Sequence, residues 1–168
     1  MGKKNETEIR QLVRRGTMLL QRGRHNQAVE VLERALEAAP EDFDAGLNLS
    51  AAYIQAKKFK DAVPILEDLK KREPRNAMVY TNLGAAYLGN PVLADEETQF
   101  KAVSAFIRAL EIEPTTPNVA YNIGLIHRDR KEWAAAIQWF ELALEAKPDD
   151  EDAQYWIDQI KSKMEAGE

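Results

Sequence analysis

Apolar positions along the chain recur at helical spacing. In the segment "AVEVLERALEAAP", Ala28, Val29, Leu32, Ala35 and Leu36 fall at i, i+1, i+4, i+7 and i+8, one stripe of an amphipathic helix. The segments "AVPILEDLKKREP", "AVSAFIRALEIEP" and "AIQWFELALEAKP" repeat the phrase. Each closes on a proline, at Pro40, Pro74, Pro114 and Pro148, with intervals of 34, 40 and 34 residues. Proline ends a helix because it lacks the donor N–H and its ring clashes with the preceding turn. Upstream of each lies a second apolar phrase: "LVRRGTMLLQRG", "GLNLSAAYIQAK", "YTNLGAAYLGN" and "AYNIGLIHRDR". No alternating apolar–polar run bounded by turns appears, so the pattern predicts helices only, two per period.

Small residues mark where those helices meet. Gly16, Ser50, Gly84 and Gly124 share one place in the period, and Ala28, Ala62, Ala102 and Ala136 share another. Minimal side chains at both places let paired helices approach closely. A single hairpin of this size cannot bury its apolar face, whereas stacked neighbours do. Residues 151–164 carry Ala153, Trp156, Ile157, Ile160 and Met164 on one side, the pattern of a further helix covering the last hairpin.

The phrase resembles the tetratricopeptide repeat. In the third period the family's Gly, aromatic, Ala, aromatic, Ala, Pro series is met by Gly84, Tyr87, Ala102, Phe106, Ala109 and Pro114. In the fourth it is met by Gly124, Ala136, Phe140, Ala143 and Pro148, with His127 where tyrosine is usual. The first is looser (Gly16, Leu19, Ala28, Leu32, Ala35, Pro40), and the second departs at Leu69, where alanine is expected. The resemblance implies an all-α, right-handed solenoid of four helical hairpins plus a C-terminal capping helix. The expected divisions are a polar tail over 1–8, four units over 9–42, 43–76, 77–116 and 117–150, and a capping helix and tail over 151–168. The third unit holds six extra residues between Tyr87 and Ala102, so 89–99 is expected to form a surface loop. Pro64, early in its helix, is expected to bend that helix or delay its start.

Composition removes several kinds of chemistry. There is no cysteine, which excludes disulfides, thiolate nucleophiles and thiolate-bound metal. His25 and His127 are the only histidines and stand far apart, so no metal spacing is recognisable. No Ser–His–Asp set, phosphate-cradling glycine loop or paired carboxylate can be named, and the expectation is a non-enzymatic protein without cofactors or metal. A net charge of −5 argues against sequence-independent nucleic-acid binding. No apolar run reaches 18 residues and the N-terminus carries no signal-like segment, so the expected setting is cytoplasmic and away from membranes.

In a stack of this kind the first helix of each unit lines the concave face. Its register rows are Arg14, Asn48, Asn82 and Asn122; Val13, Leu47, Thr81, Tyr121 and then Tyr155; Thr17, Ala51, Ala85 and Leu125; and Leu20, Ile54, Leu88 and Arg128. A side-chain amide both donates and accepts, so the asparagine row could pair with an extended peptide backbone without reading its sequence, or could serve only packing and capping. Related repeat proteins hold peptides on such rows. The family's clamp for C-terminal carboxylates, however, would need basic residues at Val13, Met78 and Asn82, and only Asn48 matches it. The expected function is thus an adaptor or scaffold that binds a protein or peptide in its concave groove. The candidate groove residues are Asn48, Asn82, Asn122, Leu47, Ile54, Thr81, Tyr121, Arg128 and Tyr155. The alternative is a self-associating scaffold, assembling through its ends or through the 89–99 loop. Residues 1–34 hold eight basic and four acidic side chains, and residues 141–168 hold three and nine, so head-to-tail homo-oligomers are possible.

Overall fold

The computed structural model describes residues 3–90, 94–116 and 118–166. Among them are nine helices and no strand: α1 (Lys3–Gln21), α2 (His25–Ala38), α3 (Phe43–Gln55), α4 (Phe59–Arg72), α5 (Ala77–Leu88), α6 (Glu96–Ile112), α7 (Val119–Asp129), α8 (Trp133–Ala146) and α9 (Glu151–Ala166). Successive helices pack on one another from α1 through α9, giving four hairpins and a covering helix.

Two recurring turns build the stack. Within the first, second and fourth hairpins the turn residue is left-handed: Gly23, Lys57 and Lys131 have φ of 69, 61 and 60°. The following amide then closes back five residues, from Arg24 to Leu19, Lys58 to Tyr53 and Glu132 to His127, at 2.8–2.9 Å. Between hairpins, each periodic proline sits second in a tight turn, closed by Asp42 N–H on Ala39, Asn76 on Glu73, Thr116 on Glu113 and Asp150 on Lys147. The last turn residue then caps the next helix. Asp42 accepts from the Ala45 amide at 2.8 Å, Asn76 from Val79 at 3.2 Å and Asp150 from Ala153 at 3.2 Å. The third inter-hairpin turn departs from this. The Thr116 hydroxyl bonds back to Glu113, and α7 begins after Asn118, which is left-handed and makes no capping bond.

The small residues stand where the expected close approaches occur. An added Cβ on Gly16 would lie 2.4 Å from Leu32, on Gly84 2.5 Å from Phe106, and on Gly124 2.8 Å from Phe140. Ser50, the fourth of the row, is fully buried and bonds its own helix at Leu47. Ala28, Ala62, Ala102 and Ala136 are all fully buried.

A second register welds neighbouring hairpins. Ala45, Val79, Val119 and Ala153 are equivalent, as are Leu49, Leu83, Ile123 and Ile157, and Ala52, Ala86, Ile126 and Ile160; all are 4% exposed or less. Tyrosine–glutamate bonds reinforce two of the seams: Tyr53 donates to Glu33 at 2.7 Å, and Tyr87 donates to Glu67. Burial and the bond to Glu67 push the Tyr87 phenol up to about 12. Burial also pushes the Glu67 carboxyl up, but bonds from Lys70 and Tyr87 outweigh it and leave it below its ordinary value. At the third seam the equivalent positions are Ile107 and His127. His127 turns instead to Glu132 at 2.5 Å and stacks on Trp139. The packing of α6 on α7 is correspondingly the thinnest between hairpins.

Three local expectations are revised. Helix α1 already runs from Lys3, so residues 3–8, expected as a tail, lengthen the first helix. Pro64 lies inside α4 and does not delay its start, which falls at Phe59. The 89–99 segment is only partly a loop, because α6 starts at Glu96, capped by Asp95 on the Thr98 amide at 2.8 Å. The part of that segment at 91–93 lies outside the described residues.

Candidate functional site

The first helices of the hairpins carry every candidate groove residue except Tyr155, which lies on α9. Asn48, Asn82 and Asn122 are all half-buried, but they are not equivalent. The Asn48 amide nitrogen donates to the Asp44 carbonyl at 2.8 Å, and its oxygen lies 3.1 Å from the Thr17 hydroxyl, whose single proton it shares with the Val13 carbonyl at 3.0 Å. Asn48 therefore ties α1 to α3. Asn82 and Asn122 make no side-chain hydrogen bond among the described residues, leaving donors and acceptors unspent.

The flanking candidates divide similarly. Leu47 and Ile54 are half-buried and pack against the core around Leu66, Leu69 and Leu83. Thr81 bonds its own helix at Ala77, at 3.0 Å. Tyr121 leans on Phe140, with ring centres 5.5 Å apart. It also borders a cleft of about 190 Å³ beside Leu110, Pro114 and Leu142, at the thin third seam. Arg128 is engaged elsewhere, its guanidinium 4.0 Å from the centre of the Trp156 ring. Tyr155 is 54% exposed and packs edge-on against the same Trp156, at 5.2 Å.

Trp156 joins this wall although it is not among the candidates named from the sequence. Its position is visible there: it follows Asn122 by 34 residues and so occupies the asparagine register on α9. The face then runs from amides in the middle to an aromatic cluster of Trp156, Tyr155 and Arg128 at the α9 end. Among the described residues no group of three or more His, Asp or Glu could hold a metal ion. No described helix is long and apolar enough to cross a membrane.

The fold and this face define the class, an α-solenoid of helical hairpins with an amide- and aromatic-lined first-helix surface. Two profiles of the tetratricopeptide repeat match residues 19–86 and 101–151, together well over half of the chain, and the chain belongs to that family. A thermophilic TPR protein of Thermus thermophilus superposes with a TM-score of 0.77 at 24% identity, covering 93% of this chain and 82% of that one. MamA from Desulfovibrio magneticus RS-1 superposes with a TM-score of 0.72 at 25% identity, covering 89% and 80%. Among curated proteins, the peroxisomal targeting signal receptor of Debaryomyces hansenii is 25% identical over 88% of this chain, and heat shock protein STI1 of Saccharomyces cerevisiae is 28% identical over 64%. The chain spans about a quarter of the length of the first and 17% of the second.

Proposed function

We propose that this chain is a protein-interaction scaffold whose first-helix face holds a peptide or protein segment. Asn82 and Asn122 would pair with the segment's backbone, and Tyr121 and Tyr155 would anchor its side chains. The observation that carries this reading is the pair of half-buried, unspent amides at one register. Their amide atoms remain open to solvent and have no protein partner, so an incoming backbone can pair with them at the cost only of displacing water. Asn48, already bonded on both sides, contributes to the stack rather than to the ligand. Relatives named as a targeting signal receptor and a heat shock protein support a binding role over a catalytic one.

The test begins with partner capture from the native cell extract, followed by calorimetric titration of the captured segment. Asn82→Ala with Asn122→Ala removes two bonds worth about 1 kcal/mol each, roughly a thirtyfold loss of affinity. Asn48→Ala alone should leave affinity nearly unchanged while lowering stability. Normal binding by the double variant would move the partner to another surface.

A further inference from the structure

A stack of repeats is held by the seams between neighbours, so its shape is least fixed at the seam with the weakest interlock. Four seams join the helices of successive hairpins here: α2 with α3, α4 with α5, α6 with α7, and α8 with α9. Small side chains let the backbones across a seam approach closely. The seam register holds Ala45 and Ala52 on α3, Val79 and Ala86 on α5, and Ala153 and Ile160 on α9, so each of these seams has at least one alanine. On α7 the same places hold Val119 and Ile126. Both are bulky, α7 stands off from α6, and the third seam is packed most thinly.

The polar contacts that fix the angle elsewhere are also missing there. Tyr53 on Glu33 and Tyr87 on Glu67 cross the first two seams. Arg128 on Trp156 and Lys163 over Trp133 hold α9 in place. At the third seam the equivalent pair is His127 and Ile107. His127 spends its contacts on Glu132 and Trp139 of its own hairpin, and Ile107 is 37% exposed. Asp42, Asn76 and Asp150 cap α3, α5 and α9, whereas α7 starts without a capping bond. Arg130 donates to Gln99 at 2.7 Å, tying the end of α7 to the start of α6. Otherwise the seam is closed by apolar burial, with Phe106, Val119 and Ile123 fully enclosed. Such burial is non-directional. It resists separation of the two helices far more than it resists a change in the angle between them.

We propose that the third seam is a hinge, about which α7–α9 turn as one body against α1–α6. The seam crosses the first-helix face between Asn82 on α5 and Asn122 on α7, so the spacing of these amides changes with the hinge angle. The hinge stands independently of what that face binds.

Distances between nitroxide labels on the full chain read the hinge. The chain has no cysteine, so labels attach only where one is introduced. Glu37, Lys71, Glu111 and Glu145 are equivalent, exposed positions on α2, α4, α6 and α8. The pair Lys71→Cys with Glu145→Cys spans the second and third seams, and the pair Glu37→Cys with Glu111→Cys spans the first and second. Pulsed electron–electron double resonance should give a broader distance distribution for the former pair than for the latter. Ile107→Glu with His127→Tyr rebuilds the tyrosine–glutamate bond at the third seam. It should narrow the first distribution to the width of the second and leave the second unchanged. Equal widths in the two pairs, or a broader Glu37–Glu111 pair, would overturn the proposal, and that comparison requires no altered seam. So would a folded rebuilt variant whose Lys71–Glu145 distribution stays as broad as before.

Discussion

Replacing Gly84 by alanine tests the packing logic at its tightest point. The new methyl would lie 2.5, 2.6 and 2.9 Å from three carbons of the Phe106 ring, so the ring or the helix must retreat by about an ångström. Phe106 is fully buried, so its ring cannot swing out into solvent. Overpacking of this kind costs about 1–3 kcal/mol, and the fully enclosed ring places this case in the upper half. Alanine recovers about 1 kcal/mol of helix propensity over glycine. A net loss of about 1–2 kcal/mol follows, a fall in Tm of about 3–6 °C for a chain of this length. Gly46 is the control. Its added Cβ would stand 3.4–3.5 Å from Leu69 and Ile65, ordinary contact, so Gly46→Ala should raise Tm by about 2 °C. Thermal unfolding followed by circular dichroism reads both. An unchanged or higher midpoint for Gly84→Ala, or the same sign for both glycines, would refute the reasoning.

The Tyr87 bond gives a pH signature. A phenol raised from 10.0 to about 12 stabilises the fold fully below its unfolded value, and that stabilisation is lost as pH climbs between the two. Tyr87→Phe should cost about 1 kcal/mol at neutral pH and flatten part of the alkaline decline in a pH series of denaturation midpoints; an identical alkaline slope in parent and variant would contradict this. Arg128→Ala removes the stack on Trp156 and should loosen α9 by about 0.5–2 kcal/mol, seen as faster amide exchange at Ile157 and Ile160. Unchanged protection there would show that Arg128 does not hold the covering helix.

Periodicity makes the fold legible. The prolines, the glycine–serine row and the buried alanines all sit where steric need is strictest, and steric need is what a sequence repeats. The site is less legible because equivalent register does not mean equivalent bonding. Asn48, Asn82 and Asn122 look alike in sequence, yet only Asn48 has Thr17 on the preceding hairpin to bond; the equivalents of Thr17 beside Asn82 and Asn122 are Ala51 and Ala85. Arg128 reads as the polar end of an otherwise aliphatic row, and only the placement of α9 reveals its commitment to Trp156. The early start of α1 is hidden because its first turns are polar and show no apolar stripe. Pro64 misleads for a different reason. Pro64, sixth in α4, forfeits the bond to the Lys60 carbonyl and crowds that carbonyl, a cost of about 3 kcal/mol that burial of Ala62, Leu66 and Leu69 on the same helix offsets.

The seam register also bears on how copies could associate. At the positions where later first helices carry Ala45, Leu49 and Ala52 and their aliphatic equivalents, α1 carries Gln11, Arg15 and Met18. On α9, the place of Gly16, Ser50, Gly84 and Gly124 is taken by Asp158, exposed to solvent. The first substitution removes the aliphatic seat on which a preceding hairpin would rest. The second sets a carboxylate where a partner helix would have to make its closest approach, and burying it unpaired would cost several kcal/mol. Continuing the solenoid from one copy into the next through its own seam geometry is therefore disfavoured at both outer faces. Attraction between the basic α1 end and the acidic C-terminal region is a different matter. It would act between hydrated surfaces, fade over about 10 Å at 0.1 M salt, and bury little. An association of that kind leaves the first-helix face open, so it does not compete with Asn82 and Asn122 for a bound segment.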